Sequence, residues 1–296
     1  MPTLEPISLD ELERLSPSLE RLVDQTPSID RWCSSPDWAL STNLAFAPDS
    51  PRYVAGDPAT GVALLAAHEH AHGVTLSGLE PMWGFGSPIL GADPVAVTRL
   101  LVAGLAHDNT WHSLVLPGLP LSAPVLTAIA EALSALGDVR VGTAIEREMI
   151  DLTDGVDAWL ARRSPRFRRN LRRAERAAEL AGVRYEPAGN GPDVFDRLLA
   201  IEARSWKGKE GSGITAPDMA TMYRSLTERL ASKGTLRATV AIRDDHDVGF
   251  ILGGVRVRFI GASACVCRRR GKAKHWTPPA MARAARLGST RYGELV

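Results

Sequence analysis

SPRFRRNLRRAERAAELAG, residues 164–182, opens the stretch that decides the fold of the second half of this chain. Ser164 is a typical N-cap residue, and Pro165 occupies the first helical position, where its missing N–H costs nothing. Apolar residues then recur at intervals of four and three, which predicts one apolar helix face. They are Phe167, Leu171, Ala174, Ala178 and Ala181. Gly182 can take a positive φ and end the helix, so the spacing predicts a helix between Ser164 and Gly182.

The same stretch is rich in arginine. Eight arginines lie between Arg162 and Arg176, and Glu175 is the one acidic residue in that window. They cannot all have carboxylate partners nearby, so we expect strong positive potential. One interpretation is a solvated basic face; the other is a landing site for phosphate or another anion, because guanidinium groups match phosphate oxygens. On the second interpretation, Arg166 and Arg169 are candidate substrate-binding residues.

The residues downstream predict two more helices and a set of strands. VRYEP, residues 183–187, is typical of a strand, and helices are predicted over 192–206 and 217–233. LRATVAIRD and DVGFILGGVRVRFIGASACV, residues 236–244 and 247–266, predict two or three antiparallel strands that first turn at Asp244-Asp245. EMIDL, residues 148–152, predicts a strand that opens this half of the chain.

The first half predicts a mixed α/β unit. Residues 8–25 form an interrupted helical pattern that restarts at Pro17, and a second helix begins at Pro36. Short strands, a Gly/Pro-rich loop PMWGFGSPILG and two further helices follow, and VRVGTAI, residues 139–145, predicts the last strand. His68, His70 and His72 would share one strand face, but no matched cysteine or carboxylate is apparent, so we predict solvated histidines and no metal site.

Three segments together resemble a known family. They are SPRFRRNLRRA, FDRLLAIEARSWKG and ILGGVR, at residues 164–174, 195–208 and 251–256. In order and spacing they are similar to GNAT acetyltransferases associated with cellulose or polysaccharide biosynthesis, which are relatives of the Fem-type peptidoglycan aminoacyltransferases. The resemblance runs from roughly Pro36 to Val257. It implies an α/β (α+β) fold of two tandem GNAT-like domains, each a mixed, mainly antiparallel sheet flanked by helices.

The resemblance also implies the chemistry. In GNAT enzymes a carboxylate removes a proton from the acceptor amine while a strand N–H polarises the thioester carbonyl. Glu202 is the catalytic carboxylate we name, with Glu210 behind it; the alternative is that Glu202 is a helix ion-pair partner. Trp206 and Lys207 are candidate substrate-binding residues in an acceptor groove, although Trp206 could equally be core. The glycines of KGKEGSG, residues 207–213, predict a flexible gating loop.

Acetyl-CoA or another acyl-CoA is the implied donor. GNAT domains hold its pyrophosphate at a helix N-terminus with an Arg/Gln-x-x-Gly-x-Gly/Ala pattern, which predicts Arg268, Gly271 and Ala273 as the cofactor-binding residues. Pro278 and Pro279 then disfavour the helix that should follow. We therefore expect an incomplete second domain, with residues from about Phe259 either out of frame or belonging to a truncated relative. The predicted domains are 1–147, 148–260 and a basic tail, 261–296.

Composition sets the class of protein. The 296 residues are 45% hydrophobic and 23% charged, as in ordinary globular proteins. The acidic N-terminus has no apolar signal segment, and no apolar run reaches about 20 residues. The three cysteines offer no disulfide framework. Together these features predict a cytoplasmic protein. Net charge is +1, but residues 261–296 hold eight basic residues and one acid.

The leading hypothesis is an acyl-CoA-dependent N-acyltransferase acting on a small-molecule or cell-envelope amine, active or inactive according to whether the second domain is complete. One alternative is a non-enzymatic anion- or RNA-binding protein that uses residues 162–176 and 268–274. Others are an aminoacyl-tRNA-dependent Fem-like transferase and a degenerate remnant with neither activity. Nucleic acid ranks behind the amine as a partner, and the oligomeric state is left open.

Overall fold

The structure is a computed structural model that describes residues 4–106, 108–119, 123–142, 144, 150–256 and, for the backbone, 259–266. The chain divides into two compact units, Met1–Thr143 and Ala144–Val296. Each contains one sheet with helices, and the sheets are mainly antiparallel, which confirms the predicted fold class. In the part of the chain that the structure describes, no helix is long and apolar enough to cross a bilayer.

The first unit is built on a sheet with strand order β1-β2-β3-β4-β6, in which β5 also pairs with β3. Among the strand pairs of the described residues, β4–β6 alone is parallel. The strands are β1 (Glu5–Pro6), β2 (Arg52–Asp57), β3 (Gly61–His70), β4 (Gly73–Gly78), β5 (Ile89–Gly91) and β6 (Ser113–Val115). The helices are α1 (Leu9–Gln25), α2 (Pro36–Phe46), α3 (Pro94–Leu105) and α4 (Ala123–Leu133).

Strand β3 explains why this sheet has helices on both faces. Alternate residues of a strand point to opposite sides. Val62, Leu64 and Ala66 join a core cluster with the buried side of α1, whereas Ala63 and Leu65 join a second cluster with α3. Both faces of β3 are therefore buried, which matches its nearly continuous apolar sequence.

Two predictions for the first unit are wrong. Helix α1 does not break at Pro17 but runs through it. A proline inside a helix costs about 3 kcal/mol, but α1 buries Leu12 before it and Leu19 after it, and each buried leucine is worth about 1.5–3 kcal/mol. The predicted strand 139–145 is also absent from its described residues, where Val139 and Val141 are exposed and have no burial to hold them in a sheet.

The second unit contains a four-stranded antiparallel sheet with strand order β10-β9-β8-β7. Its strands are β7 (Arg184–Pro187), β8 (Leu236–Arg243), β9 (His246–Arg256) and β10 (Phe259–Val266). Its helices are α5 (Gly155–Ala161), α6 (Pro165–Leu180), α7 (Val194–Ala203), α8 (Trp206–Lys209) and α9 (Pro217–Ser232), with a 3₁₀ turn at Gly213–Thr215. Helix α7 packs on β9, α9 packs on β8, and the two helices contact each other. Strand β10 crosses the boundary predicted after residue 260.

The strand predicted over 148–152 is wrong for its described residues, 150–152. Ala238 and Ile251 lie in the same sheet, on β8 and β9, but Ile150 lies outside it and is half-exposed. The side chain of Asp151 accepts hydrogen bonds from the backbone N–H and the hydroxyl of Thr153, at 2.9 and 2.7 Å. Such a local turn competes with strand pairing, and here it leads the chain into α5.

Candidate active site

Glu202 lies in the last turn of α7 and is almost completely buried, with 1% of its surface exposed. Its position follows from helix periodicity, because it lies four residues after the buried Leu198 and so falls on the buried face. Helix α7 is fixed on the sheet by Arg197, whose guanidinium donates two hydrogen bonds of 2.8 Å to the carboxylate of Asp247. These bonds hold the pKa of Asp247 below its ordinary value.

The segment from Trp206 to Thr215 folds over the Glu202 carboxylate. Ser205 caps α8 by accepting a hydrogen bond from the N–H of Gly208, and Ser212 N–H donates to Lys207 O at 2.9 Å. The backbone N–H of Ile214 donates to Glu202 itself. This segment, residues 206–215, is called the covering segment below.

Two glycines allow that close approach. A Cβ at Gly213, where φ is +67°, would fall well inside van der Waals contact with Glu202 Oε1. A Cβ at Gly208 would collide with the backbone of Glu202 and Ala203. Gly211 differs, because nothing lies within 4 Å of its missing Cβ. The sequence suggested glycines that act as hinges; the structure shows that two of the three are also required by crowding.

The carboxylate of Glu202 is only partly satisfied. Within the described residues, its buried Oε2 has no hydrogen-bond partner. Burial raises the pKa of Glu202, while the charge of Lys207 and the N–H of Ile214 act in the opposite direction. A carboxylate with one free oxygen and a raised pKa can accept a proton from a neighbouring group.

Trp206 and Lys207 lie at the start of the covering segment. Trp206 is 57% exposed, so it is not a core residue, and Lys207 Nζ lies 6.0 Å from the centre of its ring. The covering segment therefore carries an exposed aromatic ring and an ammonium group at its start. Glu210, the second predicted carboxylate, is exposed in the same segment.

The predicted substrate-binding arginines lie elsewhere in the unit. Arg166 and Arg169 are exposed on α6. Among the described residues, no hydrogen bond, ion pair or ring contact joins either of them to Glu202, Trp206 or Lys207. The predicted cofactor-binding residues, Arg268, Gly271 and Ala273, lie outside the described residues, as does most of the basic tail.

His68 and His70 lie in β3, whereas His72 lies in the turn that follows it, so the three histidines do not share one strand face as predicted. His68 Nδ1 lies 3.4 Å from the hydroxyl of Ser50, and burial lowers the pKa of the ring. Over the described parts of the chain, no three His, Cys, Asp or Glu side chains are grouped so that they could hold a metal ion.

Sequence reasoning missed Glu80 in the first unit. This buried carboxylate accepts hydrogen bonds from five successive backbone N–H groups, those of residues 82–86. It therefore holds the loop of residues 81–88, called the Trp-Gly loop below, in one conformation. Trp83 in that loop packs against Trp38 and Phe46, with ring centres 5.4 and 5.8 Å apart. An acidic residue directly before a Pro- and Gly-rich loop was the signal that could have identified it.

Part of the second unit matches a known family of domains. Residues 165–258 match the family model described as an acetyltransferase (GNAT) domain, which supports assigning this part of the chain to the GNAT superfamily. The match runs from the start of α6 through β9 and includes Glu202 and the covering segment.

A comparison with solved structures found a conserved protein of unknown function from Bacteroides thetaiotaomicron. It is 15% identical, has a TM-score of 0.49, and the alignment covers 86% of this chain and 75% of the other. The comparison with curated proteins found no match.

Proposed function

We propose that this protein is an acyl-CoA-dependent N-acyltransferase of the GNAT type that transfers an acyl group, such as acetyl, to an amine. The GNAT match at residues 165–258 supports acyl transfer in general, and GNAT domains typically use acetyl-CoA. The observation that carries the more specific proposal is the Glu202 carboxylate, which is buried within the matched segment and whose Oε2 has no hydrogen-bond partner among the residues that the structure describes.

The proposed reaction is a direct transfer. The acceptor nitrogen attacks the thioester carbonyl, a C–N bond forms, and the C–S bond breaks to release the CoA thiolate. Glu202 takes the proton that the amine loses, and this proton then goes to the thiolate or to solvent. A raised pKa suits this role, because a proton acceptor works best when its pKa approaches the working pH.

The burial of Glu202 adds a condition to this proposal. The covering segment separates the carboxylate from solvent, so an acceptor amine reaches Oε2 only when that segment moves. Segments that open and close over a site are common in enzymes. Trp206 and Lys207 are the residues we propose for the acceptor groove, and Arg166 and Arg169 for an anionic part of a small-molecule or cell-envelope acceptor.

The donor site remains a proposal from sequence alone. Arg268, Gly271 and Ala273 would bind the CoA pyrophosphate through backbone N–H groups. The tandem arrangement, with domains 1–147 and 148–260 and an atypical tail, belongs to the same proposal.

The test is a transfer assay with acetyl-CoA and longer acyl-CoAs against a panel of amines, with release of free thiol as the signal. We expect Glu202→Gln to lower kcat by roughly 10²- to 10⁴-fold, the usual contribution of a general base. Glu228→Gln, which changes an exposed carboxylate on α9 outside the covering segment, is the control and should stay within about twofold of the wild type. Full activity in the Glu202 variant would remove it from the mechanism, and no transfer and no thermal shift with any acyl-CoA would overturn the function.

A further inference from the structure

The outward side of α6 carries a row of arginines that ends in an exposed leucine. Its members recur at intervals of three and four residues, so they lie on one helix face about 21 Å long. They are Arg166, Arg169, Arg173, Arg176 and Leu180, and all are exposed. We call this set the arginine row.

The row faces solvent because the opposite side of α6 is packed. Leu171 and Ala178 are the buried residues of this helix, and they lie half a turn away from the row. The orientation of α6 in its unit is therefore set by apolar burial, and the arginines cannot turn inward.

The charges of the row are not neutralised within the described residues. No carboxylate there pairs with Arg166, Arg169, Arg173 or Arg176, nor with the adjacent Arg172. Like charges three and four residues apart destabilise a helix, and a bound anion relieves that repulsion.

Leu180 distinguishes between polyanionic partners. It is 83% exposed, more than any other large hydrophobic residue that the structure describes. A nucleic acid would gain nothing from this leucine, and the row contains no aromatic ring on which a base could stack. A lipid surface would use both features, because guanidinium groups bind headgroup phosphates while a leucine enters the interface.

We propose that the arginine row docks the protein on a membrane surface rich in anionic phospholipid. Each basic residue near such a surface raises partitioning by roughly fivefold. Leu180 adds a contribution from apolar burial that does not depend on charge. This inference concerns where the protein acts and does not depend on the acyl-transfer proposal.

The experiment measures binding of the full chain to sedimented vesicles of phosphatidylcholine, with or without about one third phosphatidylglycerol. We expect binding to the anionic vesicles that falls as salt is raised. The triple variant Arg169→Gln, Arg173→Gln, Arg176→Gln, which removes three members of the row, should bind on the order of a hundredfold more weakly. Leu180→Ser should weaken binding severalfold at low and high salt alike.

The matched control removes three arginines that are exposed on the first unit, by Arg14→Gln, Arg99→Gln and Arg140→Gln. It should bind within about twofold of the wild type if position rather than net charge matters. Glutamine is a good helix former, and circular dichroism checks that each variant is folded. Three results would each overturn the proposal. They are an equal loss of vesicle binding in the control and the α6 variant, equal binding to uncharged and anionic vesicles, and tighter binding to duplex DNA than to anionic vesicles.

Discussion

Gly213 is the residue at which the backbone comes closest to the Glu202 carboxylate. Its positive φ and the lack of space for a Cβ both require glycine. We expect Gly213→Ala to lower the free energy of unfolding of its unit by about 2–3 kcal/mol, since left-handed strain and displacement of a buried carboxylate add together.

Gly211→Ala is the control for this prediction. Gly211 has nearly the same φ, +66°, but open space around its missing Cβ, so only about 1 kcal/mol should be lost. Denaturant unfolding measures both variants, and equal losses would show that the contact with Glu202 has no energetic effect.

Glu202 should also make stability depend on pH. Its pKa is raised in the folded protein, so the folded state keeps its proton at pH values where the unfolded chain has lost it. Stability contributed by this group is therefore full below the ordinary glutamate pKa and falls as pH rises through the raised pKa.

The Glu202→Gln variant isolates that effect, because the contributions of the other groups cancel in the difference. We expect the variant to gain stability relative to the wild type as pH rises from about 4 to about 7. Urea unfolding at several pH values measures the difference in free energy of unfolding between the variant and the wild type. A difference that is constant, or that falls as pH rises, would contradict the burial of an ionisable carboxylate at this position.

At the scale of elements, the Trp-Gly loop between β4 and β5 is held by one side chain. The loop has no regular structure, and the Glu80 carboxylate satisfies five of its N–H groups. Hydrogen bonds to a charged group contribute about 1.5–3 kcal/mol each, and an unsatisfied buried donor has a cost of its own.

Glu80→Gln tests this support, because the amide keeps one acceptor oxygen and places an NH₂ group against the donors. We expect the first unit to lose at least about 3 kcal/mol of stability, and Trp83 fluorescence to shift as the ring leaves its contacts. Glu5→Gln, an exposed acid on β1, is the control. A loss below about 1 kcal/mol would mean that water replaces the carboxylate easily.

At the scale of the whole molecule, each unit has its own sheet and its own buried residues. The proposed ligand concerns only the second unit, so acetyl-CoA at a hundredfold excess over Kd should stabilise that unit by about 2.7 kcal/mol. Calorimetry of the full chain should then show one transition that moves to higher temperature and one that does not. If both transitions moved to higher temperature by the same amount, the prediction would be wrong, because the two units would then unfold together or both bind the ligand.

The sequence by itself determined the elements whose signals are local. Ser164, Pro165 and Gly182 bound α6 as expected, and the β8–β9 hairpin turns at Asp244 and Asp245, both with positive φ. The GNAT resemblance over residues 164–256 was also readable, because it depends on the order and spacing of short segments. Caps, turns and periodic spacing act within a few residues, so neighbours along the chain suffice to specify them.

Only the tertiary structure decided three features of this protein. They are the burial of Glu202, the five hydrogen bonds that Glu80 accepts from its loop, and the exclusion of Ile150 from the sheet. In each case the local sequence allows more than one hydrogen-bonding or pairing partner, and the packing of distant segments decides which partner is used. Pro17 shows the same balance, since burial of Leu12 and Leu19 overrides a strong local signal against a continuous helix. Burial energy comes from contacts distant in sequence, and it exceeds the local preferences at these positions.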